Sequence, residues 1–231
     1  MFQHLLLFFQ TPDIGTDEIT QESESLFSII ANSGTMGIII VAILLFLAVI
    51  ATVIFFERYA TIKQAGRIDE NFINNIRANV SSGNIAGAKA LCQSTDSPVA
   101  RMVEKGLQRI GKPLRDIDAA IENVGNLEIF RLEKNLSTLA SIAGAAPMIG
   151  FFGTVTGMIA AFQKMATEKN VAPDQLAEGI YQALITTAGG LFIGIIAFVG
   201  YNVLVSSVEK VVYKMERTTV DFMDLLQEPT V

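Results

Sequence analysis

The sequence predicts an all-α integral membrane protein with three transmembrane helices and long helical extensions on the cytoplasmic side. Three stretches without a charged residue carry this prediction, over 36–56, 135–163 and 179–208. They contain 21, 29 and 30 residues, whereas about 20 helical residues cross a bilayer core of about 30 Å. The first stretch lacks the amphipathic pattern that a buried helix of a soluble bundle would need.

The distribution of basic residues predicts the orientation of these spans. Eight Lys and Arg residues lie near the membrane ends on one side and two on the other. The eight are Arg58, Lys63, Arg67, Arg131, Lys134, Lys210, Lys214 and Arg217, and the two are Lys164 and Lys169. The positive-inside rule therefore places the N-terminus outside and the C-terminus in the cytoplasm. With a net charge of −6 and no separate basic patch, nucleic acid is not an expected partner.

Together these features divide the chain into seven segments. They are an extracytoplasmic N-terminal segment over 1–35, transmembrane helices over 36–56, 135–163 and 179–208, a cytoplasmic helical domain over 57–134, an outer loop over 164–178 and a cytoplasmic C-terminal helix over 209–231. In the helical domain, Ser97-Pro98 indicates a helix start. Apolar spacing from Pro113 predicts one helix that runs without a break into the second span. The single cysteine, Cys92, is expected to be a small buried residue.

Small and hydroxyl residues distinguish the second and third spans from the first. The predicted helix-packing residues recur at three- to four-residue spacing: Pro147, Gly150, Gly153, Gly157, Gly190 and Gly194. Thr154 lies nine residues from the outer end of its span and Thr187 eight from the outer end of its own. Because the helices run antiparallel, the two hydroxyls should lie level with each other. Such threonines indicate either helix packing or a hydrated or partner-occupied cavity.

The second span also carries the most specific motif, Ala146-Pro-Met-Ile-Gly-Phe-Phe-Gly-Thr-Val-Thr-Gly-Met-Ile-Ala-Ala-Phe162. This motif resembles the MotA/TolQ/ExbB proton-channel family, and its ExbB and TolQ branches most of all. Further similar pieces are Glu57-Arg58, Ser97-Pro98, Ala183-Leu-Ile-Thr-Thr-Ala-Gly-Gly-Leu191 and Tyr201-Asn202. The resemblance extends over most of the chain from about residue 30 onward.

The resemblance implies a homo-oligomeric ring, a pentamer, in the bacterial inner membrane, with the N-terminus and the outer loop in the periplasm. The ring would surround a single-span partner of the ExbD/TolR type that carries a membrane Asp, conduct protons and energise a TonB- or TolA-like protein. The implied proton pathway contains Thr154 and Thr187, with Thr186 and Gln182 beside them. Members of this family often carry Glu at the position of Gln182, so a titratable group is missing there.

The chemistry of the spans limits what the chain can do alone. None of the three uncharged stretches contains Asp, Glu, His, Lys or Arg, and hydroxyls and amides do not ionise near neutral pH. The acid of a proton relay should therefore come from the partner. An enzyme, a metal site or a bound cofactor is not expected, because the only histidine is His4. The alternatives are a flagellar or gliding motor stator subunit and a non-conducting membrane scaffold.

The orientation can be tested with reporter fusions. Because basic residues mark the cytoplasmic ends of the spans, fusions within 58–134 and 209–231 should give cytoplasmic signals. A periplasmic signal from a fusion near Gly106 would contradict the predicted topology.

Overall fold

The computed structural model describes residues 34–67, 71–167 and 173–227. Its seven helices are α1 (Gly34–Ala65), α2 (Phe72–Ser81), α3 (Ile85–Ser94), α4 (Pro98–Leu107), α5 (Leu114–Leu132), α6 (Leu136–Thr167) and α7 (Pro173–Gln227). No strand occurs in the described ranges, so the predicted all-α class is confirmed there. Nearly all of the predicted N-terminal segment, part of the outer loop and the last four residues lie outside the described residues.

Three helical stretches are long and apolar enough to cross a membrane: Met36–Ala65, Leu114–Thr167 and Leu176–Gln227. Each uncharged stretch of the sequence falls in one of them. Large apolar side chains point outward from all three, such as Phe46, Phe151 and Phe192, which are 65%, 63% and 67% exposed. Such surfaces suit lipid or a neighbouring protein rather than water. These three stretches fit a multi-pass membrane protein.

Helix α7 extends well beyond the thickness of a bilayer core. It contains 55 residues, which corresponds to a length of about 80 Å at 1.5 Å per residue. Its first half packs against α6, and its second half packs against α2, α4, α5 and the end of α1. We call this second assembly the polar bundle, since its surface carries most of the charges of the described residues.

The core of the polar bundle forms where α7 meets α4. Phe222 is completely buried, and its ring lies against Gly106, where a Cβ atom would come within 2.5 Å of Phe222 Cε1. The helix start predicted at Ser97-Pro98 is confirmed, because Ser97 Oγ accepts a hydrogen bond from Ala100 N at 3.1 Å.

Cys92 is buried as predicted, and burial together with the nearby Glu104 raises the pKa of its thiol to about 12.

The prediction of one unbroken helix from Pro113 into the second span is wrong. Helix α5 ends at Leu132 and α6 begins at Leu136. Between them Asn135 has a φ of 64°, and Leu136 N donates to Glu133 O at 3.0 Å. Asn adopts the left-handed conformation more readily than most other residues. The chain can therefore bend here although the apolar spacing continues on both sides.

Candidate functional site: a hydroxyl cluster between α6 and α7

Helices α6 and α7 approach each other most closely at Gly150 and Gly190. A Cβ atom added to Gly150 would lie 2.7 Å from Thr186 O and 3.1 Å from the Gly190 Cα atom. A Cβ atom added to Gly190 would lie 2.6 Å from Ala146 O. The two backbones thus touch directly, and only glycine permits this separation.

The other predicted packing residues lie along the same contact. A Cβ atom on Gly157 would meet the Ala183 Cβ atom at 2.8 Å, and one on Gly194 would meet Pro147 Cγ at 2.5 Å. Gly153 faces the hydroxyl of Thr186. Two other glycines of these helices, Gly144 and Gly189, have no atom within 4 Å of an added Cβ. The structure therefore separates glycines that allow contact from glycines on open faces.

Three threonine side chains converge on this glycine contact. Thr187 Oγ1 lies 3.0 Å from Gly150 O and 3.3 Å from Thr154 Oγ1. Thr186 Oγ1 donates to Ala183 O at 2.7 Å and also lies 3.3 Å from Gly150 O. Thr154 Oγ1 donates to Phe151 O at 2.6 Å. The prediction that Thr154 and Thr187 lie level with each other is confirmed by their contact.

We define the hydroxyl cluster as Thr154, Thr186 and Thr187. The carbonyl oxygen of Gly150 lies within hydrogen-bond distance of two of its members, Thr186 and Thr187. Two hydroxyls reach that one oxygen because the missing side chains at the contact leave the carbonyl accessible. A carbonyl has a second lone pair beyond the one used in the helix. Sequence reasoning missed this acceptor, since a backbone oxygen leaves no signal in the residue type.

Two of the three threonines of the hydroxyl cluster are nearly closed to solvent, and Thr187 is half-buried. Thr154 and Thr186 are 8% and 4% exposed. Each hydroxyl directs a hydrogen bond to a helix carbonyl, while its oxygen can still accept one from water or a partner. The arrangement can therefore order a chain of hydrogen bonds. It contains no group that gains or loses charge by titration near neutral pH.

Gln182 does not join this cluster by a hydrogen bond to the threonines. Its Nε2 atom donates to Glu178 Oε1 at 3.2 Å, one helical turn closer to the start of α7. The structure thus brings together three of the four predicted pathway residues and places the fourth beside an exposed carboxylate. Within the described ranges, no group of three His, Cys, Asp or Glu side chains is arranged to hold a metal ion.

Comparison with known families decides the relationship of this chain. The model of the MotA/TolQ/ExbB proton channel family matches residues 94–217, more than half of the sequence. That range contains the whole hydroxyl cluster and all the packing residues. The chain belongs to the MotA/TolQ/ExbB proton channel family.

Similar proteins carry names from two branches of the MotA/TolQ/ExbB family. The Tol-Pal system protein TolQ of Pseudomonas aeruginosa is 27% identical over 189 residues, which cover 77% of this chain and 82% of that protein. An ExbB homolog of Methanothermobacter thermautotrophicus, named as a biopolymer transport protein, is 32% identical over 120 residues, 52% of this chain and 42% of that protein. TolQ of Haemophilus influenzae is 44% identical over 77 residues, about a third of each chain.

The glycine contact gives a stability prediction with a matched control. Gly150→Ala should lower the free energy of unfolding by about 2 kcal/mol, because the new methyl group would overlap the backbone of α7. Gly144→Ala on the same helix should not be destabilising, since nothing lies within 4 Å of the added Cβ. Thermal unfolding of the two purified variants in one detergent measures the difference. Equal stability of both variants would contradict the close contact.

Proposed function

We propose that this chain is the proton-conducting subunit of an inner-membrane motor of the ExbB–ExbD or TolQ–TolR type. In this proposal, copies of the chain form a ring, a pentamer as the family resemblance implies, around a single-span partner that carries a membrane Asp. The ring uses the proton motive force to energise a TonB- or TolA-like protein for outer-membrane transport or integrity. The level hydroxyl cluster between α6 and α7, in a chain of this family, is the observation that carries the proposal.

The proposed location is the bacterial inner membrane, with the N-terminus in the periplasm and the polar bundle in the cytoplasm. The excess of Lys and Arg at the bundle ends of the spans supports this orientation. We also propose that the chain is not an enzyme. It provides a path for protons across the membrane and catalyses no chemical reaction.

In this proposal the chain orders hydrogen bonds and the partner takes up the proton, and the acidities of their groups are the reason. The hydroxyl cluster orders hydrogen bonds but cannot take up a proton near neutral pH. A partner carboxylate in a desolvated site has a raised pKa and can be protonated on one side and deprotonated on the other. With a potential of roughly 150 mV and half a pH unit, one proton supplies about 4 kcal/mol. We propose that several protons pass in each work cycle.

Two alternatives predict different behaviour. A flagellar or gliding motor stator would conduct protons as well, but the relatives named TolQ and ExbB favour the Tol or Ton type of system. A non-conducting scaffold is supported by one observation, namely that every hydroxyl of the cluster already bonds a helix carbonyl, as in ordinary packing. Measurements of proton flux separate the scaffold from both motors.

Removing the two level hydroxyls tests the role of the cluster. Thr154→Val and Thr187→Val keep the side-chain volume and remove a hydroxyl, so assembly should persist while energy transduction falls at least tenfold. Thr52→Val is the matched control, because Thr52 is an exposed threonine of α1 whose hydroxyl donates to Ala48 O at 2.8 Å. Uptake or envelope-integrity assays in cells measure the result. Full activity of both cluster variants would assign the threonines to packing alone.

The source of the acid is tested in liposomes. Since no ionisable side chain lies in the uncharged stretches 135–163 and 179–208, the chain alone should give little proton flux, and addition of the single-span partner should open conduction. Replacement of the partner's membrane Asp by Asn should abolish that gain. Strong pH-dependent flux from the chain alone would refute a partner-supplied acid and direct attention to Glu178 or to water.

A further inference from the structure

A buried carboxylate lies at the centre of the polar bundle, away from the hydroxyl cluster. Glu128 of α5 has a side chain only 4% exposed, and it pairs with two arginines. Its Oε2 atom lies 2.7 Å from Arg101 Nη2 of α4, and its Oε1 atom lies 2.6 Å from Arg131 Nη1. Arg101 makes a second ion pair at 2.7 Å with Asp96. One acidic side chain thus joins two helices through ionic contacts.

The same cluster reaches the end of the first span. Arg58 of α1 is 6% exposed, pairs with Glu57, and donates from Nη1 to the backbone oxygen of Arg131 at 3.4 Å. Glu57-Arg58, a motif that the hydroxyl cluster leaves unexplained, therefore lies at this cluster, and the helix that begins at Ser97-Pro98 contributes Arg101 to it. We define the Glu128 cluster by the residues Glu57, Arg58, Asp96, Arg101, Glu128 and Arg131.

Stability alone is a poor explanation for charges in this position. Burying the Glu128 carboxylate removes its hydration, while the side chains of Arg101 and Arg131 stay 38% and 68% exposed. An apolar residue at a buried charged position is often equally stable. The Nε atoms of Arg58 and Arg101 are buried and have no hydrogen-bond partner among the described residues, which adds to the cost. Burial acts to lower the pKa of Arg101, but the hydrogen bonds that its guanidinium donates to Glu128 and Asp96 raise that pKa above the ordinary value. Arg101 therefore remains charged.

The location of the cluster indicates what the charges do. Arg131 lies four residues before Asn135, where the chain bends between α5 and α6. A bend with one residue in the left-handed region is a point at which the second span could change its angle to the polar bundle. Ion pairs with directional hydrogen bonds hold one arrangement of the helices, whereas apolar contacts allow sliding.

We propose that Glu128 is a positioning residue, which fixes the first and second spans relative to the polar bundle. Movement of the spans is then transmitted to the polar bundle and is not lost as a change of angle at Asn135. The transmission part of this proposal rests on the proposed function, while the positioning part concerns the chain alone. Glu128 contacts neither the hydroxyl cluster nor a predicted pathway residue. Its carboxylate holds Arg101 and Arg131 directly, and Arg58 is linked to it only through the backbone oxygen of Arg131.

The positioning role is tested by a distance measurement on the full chain in nanodiscs. Spin labels at Thr61→Cys of α1 and Ser137→Cys of α6, both exposed positions, report the arrangement across the cluster in a Cys92→Ala background. Dilution with unlabelled chain removes distances between copies. The wild-type cluster should give one narrow distance distribution, and Glu128→Gln should broaden it at least twofold. Glu122→Gln, an exposed acid on the same helix, is the control and should leave the width unchanged.

A second, milder variant tests the positioning role even if Glu128→Gln does not fold. Arg101→Lys keeps the charge but cannot span Glu128 and Asp96 with separate nitrogen atoms of a rigid guanidinium. It should broaden the distribution less than Glu128→Gln does, with an unchanged melting temperature. Unchanged distributions in Arg101→Lys and in any folded Glu128→Gln protein would overturn the positioning role.

The transmission part needs a comparison of proton flux with work. With the single-span partner in liposomes, Glu128→Gln should keep at least half of the wild-type proton flux, because the hydroxyl cluster is intact. In cells, its energy-dependent uptake or envelope integrity should fall at least tenfold. Equal loss of flux and work would overturn transmission. Absence of flux from the wild-type chain with its partner would instead overturn the proposed function, while the distance distributions would still decide the positioning role.

Discussion

The contact between the backbones of α6 and α7 is the constraint on which the rest of the membrane region depends. Gly150 and Gly190 lie so close that neither position has room for a methyl group. This proximity sets the register of two antiparallel helices, and the register places Thr154 and Thr187 opposite each other. It also exposes the Gly150 carbonyl to two hydroxyls. In lipid, where apolar contact alone gives little preference between helix faces, such close packing supplies the specificity.

The chain divides its polar groups between two sites that obey different rules. In the spans the polar groups are neutral hydroxyls, each satisfied by a carbonyl, so that their burial has a low cost. In the polar bundle a buried group is charged: Glu128 pairs with Arg101 of the neighbouring helix α4 and with Arg131 of its own helix. Neutral hydroxyls can order hydrogen bonds without placing a charge in the spans, whereas the Glu128 carboxylate joins α4 and α5 by an ion pair.

The two sites are connected through continuous helices. Helix α7 carries Thr186 and Thr187 in its first half. Near its other end it carries Phe222, which lies in the core of the polar bundle. Helix α1 ends with Arg58 and two further turns that pack on the same bundle. A rigid helix transmits displacement along its axis, so the bend at Asn135 is the point in this connection where rigidity depends on side-chain contacts.

The sequence by itself determined the three spans, the level of Thr154 and Thr187, and the helix start at Ser97, because each follows from local composition, periodicity or capping chemistry. It could not predict the bend at Asn135, since a single φ angle interrupts an apolar pattern that continues on both sides. Nor could it separate Gly150 from Gly144, which differ only in what faces them. The Glu128 cluster was equally hidden, because Arg101 and Glu128 are 27 residues apart and Arg58 and Arg131 are 73 apart. Only the tertiary structure decides such contacts, because they join parts of the chain whose separation carries no periodic signal.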